Sequence, residues 1–306
     1  MRKSQKPVAL LLVAVVALLF GVTISACGSS DDTSASSTPA DTTAATVEQG
    51  GTAGSPLAAS VPDAVKSNGT LVVATDPTYA PNEFVDRDGK TIIGADVDLA
   101  NAIARVLELR ADVQKATFDG IIPGLAARRY DVGMSSMTDT RERQRAVDFV
   151  TYFNAGTSFY VRRDGPDVED LARVCGEKVA VEKGTIQADD VTRQNRSCST
   201  PADLQVYPDQ NGANLAIQSG RADVGMADSP VAAYIVEQSG GQFRLDGQPY
   251  GTAPYGIAMP KDSGMAEPVL EAMRVLIRDG TYATILRRWG IQQGAIDDPK
   301  INGAIN

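Results

Sequence analysis

Four short stretches carry residue types that can hold a small charged solute. They are Thr75-Asp76-Pro77-Thr78-Tyr79, Ser135-Ser136-Met137-Thr138, Gly184-Thr185-Ile186-Gln187 and Ala227-Asp228-Ser229-Pro230. Each places polar or small residues where an apolar, strand-like run ends, and two of the four carry a carboxylate. Backbone N–H groups at the start of a helix take an anion, and a carboxylate takes an ammonium. One such stretch alone is ordinary helix capping; four together point to a cleft. A cation stands beside them. Asp139 and Glu142 have the spacing of a capping pair, which puts Arg143 in a first helical turn. A cation there opposes the helix dipole, but its planar fork offers a bound carboxylate two parallel hydrogen bonds. The plain alternative is a solvated arginine, the reading given to Arg141 and Arg145.

The rest of the composition narrows the chemistry. The chain has no histidine, which removes Ser-His-Asp and Cys-His catalysis together with His-ligated metal sites. No metal or other cofactor is expected. The formal net charge is -9, which argues against a nucleic-acid partner.

Those residues need strands and helices to place them. Leu71-Val72-Val73-Ala74 reads as a strand. Asp96 to Leu109 reads as a helix, with Leu99, Ala100, Ile103, Ala104 and Leu107 at helical spacing. Asp119 reads as the cap of a second helix through Ile121, Ile122 and Leu125, and Asp131 to Met134 as a strand. A second βα series runs through 178–181, 184–196, 204–207 and 213–219. Such alternation implies parallel sheets with helical crossovers. Arg129-Tyr130-Asp131-Val132-Gly133-Met134 is echoed by Arg221-Ala222-Asp223-Val224-Gly225-Met226. Each copy follows a helical stretch and precedes small or polar residues, which favours two lobes of similar build.

The N-terminus reads as a targeting segment. Arg2, Lys3 and Lys6 precede an apolar run from Val8 to Phe20, and Ile24-Ser25-Ala26-Cys27 follows. The run is shorter than the ~20 residues a membrane span needs, and the layout is that of a signal peptide over 1–26. A cysteine directly after the small residues is similar to the bacterial lipobox, which makes Cys27 a lipidation site; the alternative is an ordinary signal peptide with an incidental cysteine. Residues 27–60, rich in Ser, Thr, Ala, Gly and Asp, read as a flexible tether. Cys175 and Cys198 remain, either as a disulfide, natural in an exported protein, or as two buried thiols. A bond between them would close a loop of about 24 residues, worth roughly 3 kcal/mol.

Over nearly all of residues 69–290 the sequence resembles the family 3 (polar amino acid) solute-binding proteins of ABC importers. The resemblance rests on 74–81 (Ala-Thr-Asp-Pro-Thr-Tyr-Ala-Pro), 94–100 (Gly-Ala-Asp-Val-Asp-Leu-Ala) and 118–125 (Phe-Asp-Gly-Ile-Ile-Pro-Gly-Leu). It continues through 134–143, Val147-Asp148-Phe149, Asp279-Gly280-Thr281-Tyr282 and Arg287-Arg288-Trp289-Gly290. It implies an α/β, two-lobed periplasmic-binding-protein-like fold of type II. Each lobe would be a mainly parallel sheet flanked by helices, and two hinge strands would join them. Lobe 1 would be 61–160 with 254–306, and lobe 2 would be 165–250. Carried over by position, Arg143 would take a ligand α-carboxylate with backbone N–H groups of Thr138 and Ile186. Asp228 would take the α-ammonium with Ser136 and Thr138. Ser135 and Thr185 belong to the same strand ends, Tyr79 and Phe118 would sandwich the side chain, and Asp76 and Glu182 would face its far end. The family's Pro-Phe-Glu-Phe reads Pro81-Asn82-Glu83-Phe84 here.

The implied partners are a small amino acid, an ABC permease in the membrane, and the membrane itself through the lipid alone. The chain is expected to act as a monomer on the extracytoplasmic face of the cell membrane. Two acids at the far end favour a cationic side chain such as arginine, ornithine or lysine, unless Glu182 pairs with Lys183 or Arg193 instead. The competing class is an enzyme of dehydratase or lyase type on the same fold. It would need an unpaired acid of raised pKa at the ligand, and Glu182 is the candidate.

Overall fold

The computed structural model describes residues 55–305. The expected signal peptide over 1–26 and lipidation site at Cys27 lie outside them. The tether was expected to run to about Ser60, yet a short helix, α1 (Pro56–Ala59), already stands there with Ala58 buried. Ser55 caps it through its hydroxyl, and Pro56 at the first position suits a helix start.

After α2 (Asp63–Lys66) comes a first βα series. It contains β1 (Thr70–Thr75), a three-stranded ribbon of β2 (Thr78–Tyr79), β3 (Glu83–Val85) and β4 (Ile92–Ile93), then α3 (Ala95–Val106), β5 (Arg110–Lys115), α4 (Phe118–Ala126) and β6 (Val132–Gly133). The long strand β7 (Val147–Arg162) follows. A second series repeats the plan, with β8 (Lys178–Glu182), α5 (Ile186–Gln194), β9 (Asp203–Tyr207), α6 (Gln210–Gln218), β10 (Val224–Asp228) and α7 (Ser229–Gln238). A second long strand, β11 (Phe243–Pro260), then leads to α8 (Ala266–Arg278) and α9 (Thr281–Arg288).

The strand order β5-β1-β6-β11-β7-β10-β8-β9 explains the two lobes. Read inward from either edge, each half runs second strand, first strand, third strand, long strand. Within each half the short strands are parallel, as βαβ crossovers require. The long strands pair antiparallel with each other from Phe243↔Arg162 to Pro260↔Val147, with register shifts around Tyr250 and Ala253. They therefore serve both halves as the two expected joining strands, and by pairing with each other they make the two lobes' sheets one eight-stranded ladder.

The sequence echo is this repeat seen locally. In one copy Asp131 takes the Val72 N–H at 2.8 Å and gives its own N–H to the Val72 carbonyl. In the other, Asp223 does the same with Lys178, at 3.4 Å on the carboxylate. The aspartate thus locks the third strand onto the first in both lobes.

Helices α3, α8 and α9 cover one face of the first half through Leu99, Ile103, Val269, Met273 and Leu286. A second apolar cluster runs from Ala74, Phe118 and Leu125 to Ala180, Ala213 and Val231 and so spans both halves. A third, around Phe159, Val179 and Val224, belongs to the second half. There Cys175 and Cys198 are bonded, with Cα atoms 5.5 Å apart, so the disulfide is present and the buried-thiol alternative is removed. Among the described residues no helix is long and apolar enough to cross a membrane.

Candidate functional site

The carboxyl ends of β1, β6, β8 and β10 converge between the lobes, where open α/β sheets place ligands. A small cavity there is walled by Tyr79, Phe118, Ser136, Thr138 and Arg143 from the first lobe. Thr185, Ile186, Gln187 and Asp228 complete it from the second. Eight of these nine were expected from the sequence; Gln187 is the addition.

Arg143 sits at one end and bridges the lobes. Its Nη1 donates to the Thr138 carbonyl and its Nη2 to the Gly184 carbonyl, each at 2.9 Å. Its guanidinium lies 5.3 Å from the Phe118 ring centroid. Gly184 has φ +79, and a Cβ there would come within 3.0 Å of the Asp119 Cβ; glycine lets the lobes touch at this point. The helix expected at Arg143 is only a single 3₁₀ turn, Arg143–Arg145, because the chain must enter β7 at Val147. The expected Asp139 cap is also corrected. The Thr140 hydroxyl takes the Arg143 N–H at 3.2 Å, while the Asp139 carboxylate receives Gln144 Nε2 at 2.7 Å.

Asp228 ends β10. Gln187 Nε2 and the Tyr255 hydroxyl each donate to it at 2.7 Å. Burial pushes its pKa up to about 6 against those two hydrogen bonds and the Arg143 charge. It stays an anion at neutral pH, ready for an ammonium. Thr185 caps α5 toward the Ala188 N–H, and Ile186 and Gln187 in the first turn of that helix line the cavity with it.

The far end differs from expectation in two respects. Asp76 is buried but already engaged: one oxygen receives the Thr78 hydroxyl at 2.9 Å and the other the Phe118 N–H at 3.0 Å. It therefore does the capping assigned to Asp119, which instead forms an interlobe ion pair with Lys183 at 2.8 Å. Ser135 is not a wall residue. Its hydroxyl receives the Asp76 N–H at 2.8 Å and donates to Glu83 at 3.1 Å.

Glu182 is the unpaired group. It is 1% exposed, and neither carboxylate oxygen has a hydrogen-bond partner. Lys183 and Arg193, its proposed surface partners, are taken by Asp119 and Asp190. The Tyr79 hydroxyl, also buried outside hydrogen-bond geometry, faces Glu182, and its nearness favours the carboxylate against the burial that lifts it. Burial first, then the negative charge of Asp76, push Glu182 up to about 9. Tyr79 and Phe118 are in direct contact, ring centroids 5.8 Å apart, an ordinary distance for an aromatic pair. They must part to admit an aliphatic stem between them.

Residues 71–292 match the bacterial extracellular solute-binding proteins, family 3, and the chain belongs to that family. Among its relatives is an arginine-binding protein, ArgT, of Corynebacterium glutamicum, 35% identical over 251 residues that make up 80% of this chain and 82% of the relative. A solved ancestral arginine-binding protein bound to arginine superposes with a TM-score of 0.69 at 33% identity, over 72% of this chain and 98% of that one. An ancestral amino acid-binding protein described as a precursor of cyclohexadienyl dehydratase gives 0.68 at 32%, over 74% and 98%.

Proposed function

We propose that this chain is the substrate-binding lipoprotein of an ABC importer and that its cleft takes a cationic amino acid, arginine foremost. One observation carries the ligand class: Glu182 is buried with no cation paired to it, and the one donor near its two oxygens is the Tyr79 phenol, which stands outside hydrogen-bond geometry. A buried carboxylate without donors costs several kcal/mol, and a guanidinium supplies two parallel donors to it. At the opposite end Arg143 suits a carboxylate and Asp228 an ammonium, so a zwitterion with a cationic tail matches the cleft throughout. Asp76 supports the site by holding the Phe118 helix start, and the lobe limits 61–160 with 254–306 and 165–250 belong to this reading. The test is a thermal-shift panel of arginine, ornithine, lysine, glutamine and glutamate. A ligand at ~100 times its Kd stabilises by about 2.7 kcal/mol. The basic amino acids should shift the midpoint most, and a shift by glutamate alone would contradict the reading.

The importer reading also places the protein on the extracytoplasmic face of the membrane through a lipid on Cys27, with the permease as its partner and with no need to dimerise. Cys27→Ala should move the protein from the membrane fraction to the soluble one. Equal membrane retention would refute the anchor.

Glu182 also keeps the enzyme reading in view, since a buried acid lifted to about 9 holds a proton at neutral pH and resembles a general acid. The completed Arg143 and Asp228 ends, together with the names of the relatives, favour binding. Product formation by the purified protein from arginine or an amino-acid-like acid would reverse that choice.

A further inference from the structure

Behind the first-lobe wall lies a second set of acids that does not line the cavity. Glu83 of β3 and Asp96 of α3 are both buried, and both bond Ser136, which sets the two carboxyls beside each other. Glu83 receives the Ser135 hydroxyl on one oxygen at 3.1 Å and the Ser136 hydroxyl on the other at 3.2 Å. Asp96 receives the Ser136 N–H at 3.0 Å and the Tyr152 hydroxyl at 2.6 Å on a single oxygen. Asn82 adds its side-chain N–H to Ser136 Oγ at 2.8 Å. Ser136 has φ +49, a conformation that a residue with a side chain keeps only when its surroundings impose it. It is also a wall of the ligand cavity. The acids therefore grip a strained wall residue from behind.

The titratable groups facing this pair are Tyr152 of β7 and Tyr255 of β11, the second of which donates to Asp228. Burial raises both phenols, so they stay neutral. No cation is among the groups that shift Glu83 or Asp96. Two touching carboxyls in that setting cannot both ionise. Burial first, and then the Asp96 charge, lift Glu83 well above the usual carboxylate range. Asp96 reaches only about 6, lifted by burial and held back by the bonds from Tyr152, Ser136 and Glu83. Asp96 already takes an amide N–H and a phenol on one oxygen, so it is the better-solvated anion and the shared proton is assigned to Glu83.

We propose that Glu83 is a positioning residue of the ligand cleft: it keeps a proton at neutral pH, donates it to Asp96, and the resulting acid–carboxylate pair fixes the Ser135–Ser136 turn in its ligand-ready geometry. The proposal rests on the cleft being an amino-acid site. Each carboxyl retains lone pairs for the serine and tyrosine donors while the shared proton removes the repulsion between them. Glutamine is isosteric with the neutral acid and can keep the donor to Asp96 and an acceptor for a serine. Alanine removes both.

The test combines two readouts. An infrared difference spectrum of unaltered protein minus Glu83→Gln, near neutral pH, should show the carbonyl stretch of one protonated carboxylic acid. Calorimetry with arginine should find Glu83→Gln within about threefold of the unaltered protein. Glu83→Ala, which strands two buried hydroxyls, should bind about tenfold more weakly or worse. No acid band lost in Glu83→Gln, a tenfold loss in that variant, or unchanged binding by a folded Glu83→Ala would overturn the proposal. If Glu83→Ala does not fold, the two readouts on Glu83→Gln decide it. An acid band in a protein that binds no amino acid would sink the reading of the cleft while upholding the proton on Glu83, so the two failures are distinct.

Discussion

Arg143→Ala is expected to weaken arginine binding by several hundred-fold or more while leaving the thermal midpoint of the empty protein close to its starting value. The guanidinium is half-buried and joins the Thr138 and Gly184 carbonyls, one from each lobe. Its removal strands a ligand carboxylate in a cleft that has closed around it, and breaking a buried charged pair costs about 3–5 kcal/mol. Without ligand the protein loses its contact with the Phe118 ring and two hydrogen bonds to carbonyls that water can reach once the lobes part. Arg143→Lys keeps the charge without the fork, so it should fall between the two. Calorimetry of the three proteins with arginine measures this. A loss below tenfold in a folded Arg143→Ala would move the carboxylate subsite elsewhere.

Glu182→Gln should reverse the side-chain preference. Two charge-assisted hydrogen bonds to the ligand tail are lost, weakening arginine by about 30–150-fold at ~2–3 kcal/mol. A neutral tail that could not satisfy a carboxylate should meanwhile bind better. A pH dependence follows from the same group. Exposed to water in an open cleft, Glu182 titrates near ~4.3; closed without a ligand, it titrates near about 9. The closed empty form therefore holds more protons than the open one between those values. Linkage then makes empty closure easier as pH falls and harder as it rises. The fraction closed without ligand, read by small-angle scattering or an interlobe fluorescence pair, should grow on acidification through that window. In Glu182→Gln the response above about pH 6 should vanish, leaving only the part below it that comes from the other buried cleft acids, Asp228 and Asp76. At neutral pH a cationic side chain does what the proton does, so closure is conditional on the right ligand. An empty cleft that closes equally at all pH values would remove Glu182 from that role.

Much of this site could be read from the chain because its residues follow strands. Asp76, Ser136, Glu182 and Asp228 sit at or beside the ends of β1, β6, β8 and β10, and a strand end fixes both the depth and the direction of the next residue. The echo of 129–134 in 221–226 exposed the pseudo-repeat for the same reason, since Asp131 and Asp223 do one job in two places. What the chain alone left hidden depends on which partner reaches a group first. Asp119 lies in the first turn of α4 while Asp76 follows β1 and leads into β2, so local spacing favours Asp119 as the cap. Asp76 wins because the end of β1 already points at the Phe118 N–H, which frees Asp119 for Lys183 across the cleft. Gln187 was within a quoted motif, but its bond to Asp228 joins residues 41 apart. Glu83 and Asp96 lie far enough apart in the chain that no periodicity pairs them. The two joining strands were expected, but not that they pair with each other over most of their length, because an antiparallel ribbon looks, in sequence, like two unrelated apolar runs.

The central claim is that Glu182 and its unpartnered oxygens select a positive charge at the end of an amino-acid side chain. The most direct measurement is calorimetry of the unaltered protein with arginine and with citrulline, its uncharged near-isostere, under matched conditions near neutral pH. Shape, stem length and the zwitterionic end are then held constant, and only the charge of the tail differs. Arginine should bind at least about 30-fold more tightly, as the loss of charge-assisted bonds to Glu182 requires. Equal binding of the two, or tighter binding of citrulline, would contradict the account.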